Sequence, residues 1–347
     1  MIPTTNTTTP PIELSPLPPL IPFFSDETLL LAAPVITYWV FSLFFHVLDV
    51  YNFLPQYRLH TPEEVLKRNH VSRYEVLRDV ILQHIMQTGI GFVVAFFEPV
   101  QMTGMESAEI YGLYSKVLAA ERWIGGVLGA EGMMGEKGLG WGDWRYKLVE
   151  LAYWYAIPAL RMGVAIFVLD TWQYFLHRLM HESKWLYRTF HSRHHRLYVP
   201  YAYGALYNHW FEGLLMDSIG ASLAYKLSGL GIRGGIAFFC FSTMKTVDDH
   251  CGYSLPWDPL QKVFWNNAGY HDVHHQSWGI KTNYSQPFLI CWDRWLGTQW
   301  TGGDVTARYK ASAEKAAAAV KADLLAKEEV VVKRTGEEKV RRRTGKA

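Results

Sequence analysis

The sequence predicts an all-α integral membrane protein, in which about four transmembrane or re-entrant helices carry a histidine-rich helical cap. Three observations predict it. Residues 28–45, TLLLAAPVITYWVFSLFF, run 18 positions without a charge and without the polar face that a soluble helix shows at a 3.6-residue period. Two further stretches, Val80 to Phe97 and Leu148 to Leu169, are apolar over comparable lengths. Ten of the 14 histidines fall between residues 177 and 275, after these stretches rather than inside them.

Taken in order, residues 1–27 are rich in Thr and Pro and carry no basic n-region, which predicts a flexible tail rather than a cleaved signal. The first span follows. The second has a polar side, Gln83, His84 and Gln87, which should face other helices. The third is interrupted only by Glu150 and Arg161. Residues 211–230 and 232–247 form a fourth apolar region, broken at Gly229, Gly231, Gly234 and Gly235 and interrupted by Glu212, Asp217, Lys226, Arg233 and Lys245, and this reads as a hairpin that spans or re-enters. The transmembrane region is thus set at 28–164, a histidine-rich domain at 165–300 and a charged tail at 301–347.

Basic residues orient the loops. Residues 171–209 hold five Lys or Arg against one acid, Glu182, whereas 98–147 hold seven acids against five bases. The positive-inside rule then puts the histidines in the cytosol and the glycine-rich stretch 124–142 in the lumen. Of the two glycosylation sequons, Asn6 is then accessible to the lumen and Asn283 is not. The tail, with AEKAAAAVKADLLAKEE and KVRRRTGKA, reads as a solvated charged helix ending in a basic segment. Cys240, Cys251 and Cys291 form no C-x-x-C pair, which excludes a thiolate metal site and a disulfide framework. A net charge of +2 makes no case for nucleic acid.

The histidines carry the functional signal. The pattern H-x-x-H-H occurs as HSRHH, residues 191–195, and again as HDVHH, residues 271–275, where chance at this composition gives about 0.02 copies per chain. Helical spacing predicts that His191, His194 and His195 share one face, as do His271, His274 and His275, and as do His177 and His181 four residues apart. Two such helices facing each other can enclose two metals. His209 and His250 are the single residues expected to complete the shells. Imidazole suits Zn, Cu, Fe or Ni, and ten rings are too many for one structural zinc. The expected partners of the ligands' second nitrogens are Asp170, Asn208, Asp249, Asn267 and Asp272, with Asp248 also near. His46 and His84 are expected to pack, and His60 and His70 to lie on the surface. Neutral ligands imply metal loss as pH falls towards ~6.5.

The segments DTWQYFLHRLMH, HHRLYVPYAYGALYNH, TVDDHCGYSLPWDPLQ, YHDVHHQSWGIKTNYSQPF and WDRWLGT resemble the membrane-bound fatty acid hydroxylase and sterol desaturase superfamily, and within it the sphinganine C-4 hydroxylases. The resemblance is dense over residues 165–300. It implies a di-iron monooxygenase of the endoplasmic reticulum membrane that hydroxylates C-4 of sphinganine or dihydroceramide, with electrons from NAD(P)H through cytochrome b5 and its reductase. Carried over, the metal ligands are His177, His181, His191, His194, His195, His271, His274 and His275, with His209 and His250 as the ninth and tenth. No cytochrome b5 domain is fused, so the donor is expected to be a separate protein.

Other readings stay open at this point. A sterol methyl oxidase, a sterol desaturase, a fatty acid hydroxylase or a hydroxylase of a sphinganine-like secondary metabolite would use the same metals. A bis-His haem membrane protein or a metal transporter would also hold imidazoles, although those place them singly within the spans.

Overall fold

A computed structural model describes residues 12–128 and 143–344. Asn6 and residues 129–142 of the glycine-rich stretch lie outside them. The described chain is mostly helical, and its two short strands, β1 (Ser15–Pro16) and β2 (Met102–Thr103), pair with each other.

Three helices among the described residues are long and apolar enough to cross a membrane: α1 (Asp26–Val50), α3 (Arg73–Phe96) and the continuous run 144–182. Ser25 caps α1 by accepting from Thr28 N, with Asp26 and Glu27 in the first turn. Ser72 caps α3 in the same way through Glu75 N. Between them α2 (Pro62–Arg68) carries a full capping box, Thr61 with Glu64. Large apolar side chains on the long helices point outward, among them Ile36, Val93, Phe96 and Leu160. That is the pattern of helices bathed in lipid. The helix α4 (Glu106–Val127) packs against α5 (Trp144–Leu151), which passes through a π turn at Ala152–Ala156 into α6 (Ile157–Glu182). The third span therefore runs well past Leu169, and its last turns carry His177 and His181 out of the apolar zone.

The predicted fourth apolar region is a hairpin. One arm is α8 (Trp210–Gly213), the π turn Leu214–Ile219 and α9 (Gly220–Ser228); the other is α10 (Ile232–Asp249). Gly229 closes the first arm at φ 67°, a left-handed conformation that a side chain would strain. α9 lies on α6, and α10 lies on α1, so the hairpin is braced by two of the spans. The arm also comes very close to α3: a Cβ on Gly213 would sit 1.5 Å from Gln83 Nε2, so any larger residue there would displace the Gln83 amide. His84 packs edge-on against Tyr38 and Trp39, as expected for a packing residue.

Beyond the spans, α7 (Lys184–Thr189), a 3₁₀ helix at His191–Arg196, α11 (Pro259–Val263), α12 (Ala268–His275) and α13 (Cys291–Leu296) build the cap. Tyr38, Phe45, Val76, Tyr207 and Tyr253 form one core that ties the cap to α1 and α3, and Tyr38 Oη donates to Tyr203 O at 2.8 Å. The C-terminal segment is one helix, α14 (Thr306–Thr344), whose start docks on α2. Ser312 Oγ donates to Glu64 at 2.6 Å, and Lys67 pairs with Asp323. The expectation of a wholly solvated tail is corrected there: its first turns are part of the cap.

Asn283 is buried at φ 55°, with Nδ2 donating to Tyr270 O at 2.9 Å and Oδ1 accepting from Trp300 N at 2.7 Å. A glycan cannot be added to that nitrogen in the folded chain. Asn283→Gln should leave the mobility of glycosidase-treated and untreated protein unchanged while lowering stability by ~1–3 kcal/mol, measured by thermal aggregation in detergent.

Candidate metal centre

Nine of the ten predicted histidines come together in two adjoining groups. His177, His181, His191, His195 and His274 form the first; His194, His250, His271 and His275 form the second, and all nine are buried. Within each group the candidate ligand atoms lie within 4.8 Å of one another.

The two H-x-x-H-H segments do not each face one site, as the reading of a shared helical face expected. Each is split two and one. His191 and His195 go to the first group and His194 to the second, whereas His271 and His275 go to the second and His274 to the first. Successive residues of an α-helix are turned by ~100°, so the last two histidines of each motif fan apart and reach different centres. α12 is α-helical over the motif, with Asn267 as its cap accepting from Tyr270 N. HSRHH is instead a 3₁₀ segment, so the repeat in sequence is not a repeat in backbone.

Hydrogen bonds to the outer ring nitrogens fix most of these imidazoles. Nδ1 lies 2.8 Å from Tyr284 O in His177, 2.8 Å from Thr246 O in His250, 2.7 Å from Thr282 O in His274 and 2.8 Å from Leu197 O in His275. His194 Nδ1 points at Tyr207 O at 3.3 Å, and His191 Nδ1 is 2.5 Å from Glu212 Oε1. A nitrogen facing a carbonyl must carry the proton, so the inner nitrogen is a bare lone pair. Those inner nitrogens face each other. His177 Nε2 is 3.1 Å from His191 Nε2, His195 Nε2 is 3.0 Å from that of His191 and 3.1 Å from that of His181, and His271 Nε2 is 3.0 Å from His250 Nε2. His274 Nε2 is buried with no partner.

This donor set fits a pair of metal ions. Imidazole nitrogens bound at ~2.1 Å and separated by ~90–100° at the metal are ~3.0–3.2 Å apart. Without a cation, lone pairs at this spacing repel. Burial also keeps the rings neutral: it pushes His191 down to about 3, and burial followed by neighbouring rings pushes His194 to about 4 and His250 to about 3. The rings themselves thus resist protonation below the ordinary imidazole value of ~6.5.

The other predicted residues go elsewhere. His209 caps α8 instead, accepting from Phe211 N at 3.2 Å, with its ring against Phe190 and Trp210. It stands outside both groups because the chain turns there into the hairpin. Among the expected outer partners, Asn208 reaches His194. Asp170 takes the backbone N–H groups of Phe288 and Leu289, Asp249 pairs with Lys245 and Asn266, and Asn267 is spent as a cap. Each of those three has a nearer donor than any imidazole. Backbone carbonyls, Glu212 and Asn208 do that work; Asn208 was expected from its place beside the motifs, and Glu212 left a trace in the sequence only as an acid in an apolar arm.

His60 also corrects its assignment to the surface. It is 4 % exposed, with Nδ1 3.0 Å from Glu64 and Nε2 3.0 Å from Asp272, next to His271. Tyr309 of α14 donates to Asp272 at 2.7 Å, and Gln276 donates to it at 3.1 Å. The network locks α2, α12 and α14 together on the outer side of the second group.

The family model for fatty acid hydroxylases matches residues 162–298. The chain is similar to sphingolipid C4-hydroxylase SUR2 of Saccharomyces cerevisiae, 46% identical over 84% of this chain and 77% of that one. It is 40% identical to sphinganine C4-monooxygenase 1 of Arabidopsis thaliana, over 79% of this chain and 88% of the other. It is also 40% identical to very-long-chain aldehyde decarbonylase GL1-9 of Oryza sativa, over 80% and 90%. No solved structure matches the chain.

Two pH limits follow. The depressed histidines are stabilising when neutral, so their contribution is complete above 6.5 and is lost as pH falls towards 3–4. His60 behaves in the opposite sense: burial alone would lower it, but Asp272 and Glu64 raise it to about 9, so its contribution is complete below 6.5 and is lost as pH rises through 9. Melting in detergent across pH 4–10 should fall at both ends, and His60→Gln should flatten the alkaline limb alone.

Proposed function

Since the chain belongs to the fatty acid hydroxylase family, we propose that this membrane oxidoreductase is a di-iron monooxygenase acting on C-4 of a long-chain sphingoid base, sphinganine or dihydroceramide, to give a phytosphingosine-type product. The printed functions of the yeast and Arabidopsis relatives support the substrate. What carries the reading is the placement of a long apolar cavity relative to the two histidine groups.

That cavity, about 290 Å³, runs between α1, α3, α6, α9 and α10. It meets a small pocket of about 30 Å³ that is walled by His191, His194, His250 and His271. The two share Gln173, Leu206, Asp217 and Thr246. From Tyr38 back to Glu27 its lining spans 12 positions of α1, or ~16 Å of helix, close to half the ~30 Å hydrocarbon thickness of a bilayer. One lipid chain fills that depth. Most of the chain would then lie beyond the histidines, so the carbon that reaches them must stand near the polar end, as C-4 of a sphingoid base does.

The first group would hold one iron and the second the other, and together they would supply the oxidant that breaks an unactivated C–H bond. The chain's own part is to aim and to dry. Carbonyl-anchored Nδ1 atoms hold His177, His194, His250, His274 and His275 in the tautomer that ligates, Glu212 orients His191, and the apolar walls exclude water from the reacting carbon. We place the cap on the cytosolic side of the endoplasmic reticulum membrane, from the surplus of Lys and Arg in 171–209, where cytochrome b5 and its reductase would deliver electrons from NAD(P)H.

Expression in a strain lacking 4-hydroxylated bases, followed by mass spectrometry of its lipids, tests this. Restoration of phytosphingosine is expected; conversion of long-chain aldehydes without it would favour the chemistry named for the rice relative. His274→Ala and His271→Ala should each abolish product and lower bound iron from about two towards one per chain, while the protein still inserts. Full activity in either variant would sink the assignment.

A further inference from the structure

The cavity changes character before it reaches the histidines. At its junction with the small pocket stand Gln173, Asp217 and Thr246, with Ser242 just outside and Asn208 and Glu212 just within. Two oxygens here, Glu212 Oε2 and Ser242 Oγ, are buried without a hydrogen-bond partner, and Asp217 Oδ2 makes no well-formed hydrogen bond although the Gln83 and Gln87 amides lie beside its carboxylate. Glu212 is 2 % exposed and spends only Oε1, on His191. Acceptors left bare in a membrane interior are costly unless something that arrives later donates to them.

Asp217 sits in the π turn Leu214–Ile219, where the widened helix turn departs from regular α geometry. Turns of this kind concentrate at functional sites. The small pocket has room for roughly two or three water-sized groups, the size of a nitrogen and a hydroxyl rather than of a hydrocarbon chain.

We propose that Asp217, with the free oxygen of Glu212, accepts the hydrogen-bond donors of the substrate's polar head, the nitrogen and hydroxyl groups on the carbons beside the one oxidised, and so fixes which carbon faces the histidines. This rests on the reading of a sphingoid base as substrate. The tail alone cannot set the position, because an alkyl chain slides along an apolar wall at little cost. A donor held by a carboxylate is a fixed stop.

The test uses the iron-loaded protein in detergent with its electron donors. Asp217→Asn should raise KM for sphinganine about tenfold, keep kcat and iron content within about twofold, and add products hydroxylated at neighbouring carbons. The wild type given a chain analogue lacking the C-2 nitrogen should show a similar rise in KM, and Asp217→Asn should no longer distinguish the analogue from sphinganine. An unchanged KM with a single product, loss of iron from the variant, or a wild type that handles the analogue as well as sphinganine would each overturn the assignment while leaving C-4 hydroxylation standing. A wild type that makes no 4-hydroxylated base would bring down the functional reading itself.

Discussion

Ring nitrogens that carry lone pairs and meet at 3.1 Å inside a dry cap repel one another unless a cation lies between them, and much of the fold serves to hold them there. His177 and His191 each donate their one N–H to another acceptor, Tyr284 O and Glu212, so neither can relieve the contact with a hydrogen bond of its own. The backbone that supplies those acceptors must therefore be rigid. The loop 282–284 presents two of the carbonyls, and Asp293 holds it by accepting from Tyr284 N at 3.0 Å and Ser285 N at 2.8 Å. Asp170 does the same for Phe288 and Leu289 from the last span. Acids that sit near the histidines in sequence thus act on the histidines at one remove, through main chain.

The same constraint explains why the motif occurs twice. A single H-x-x-H-H segment presents its final two rings ~100° apart in an α-helix and ~120° apart in a 3₁₀ segment, and cannot converge all three on one ion. Two segments that exchange their middle histidines give each centre a pair from one and a single ring from the other. The exchange also binds the two centres together: neither segment can move without disturbing both.

Much of this was legible in the sequence, and the remainder was hidden for physical reasons. Uncharged apolar runs mark spans because lipid tolerates nothing else, so α1 and α3 could be read directly. Eight motif histidines and His250 could be named because imidazole clusters at that spacing have few other uses. His209 misled because a histidine beside the motifs can equally cap a helix, a choice that rests on where the chain turns. His60 was missed for the reverse reason: it lies over 200 residues from Asp272, and only folding reveals that a basic loop is covered by α14. The carbonyl partners have no side-chain signature at all.

The centre and the cavity draw on different parts of the chain. All nine clustered histidines fall within 162–298, the segment that the fatty acid hydroxylase family shares. The cavity takes Leu169, Ala221 and Phe239 from that segment but Leu31, Pro34, Ile90 and Val94 from α1 and α3, which precede it. Its far end is lined by Glu27, Pro99 and the Lys226 to Glu98 pair. Side chains of α1 and α3 that line the cavity can therefore change without touching a ring, since those helices carry none of the nine. Physically, the histidine centre is set by the cap, whereas about half of the cavity wall comes from residues that precede the shared segment.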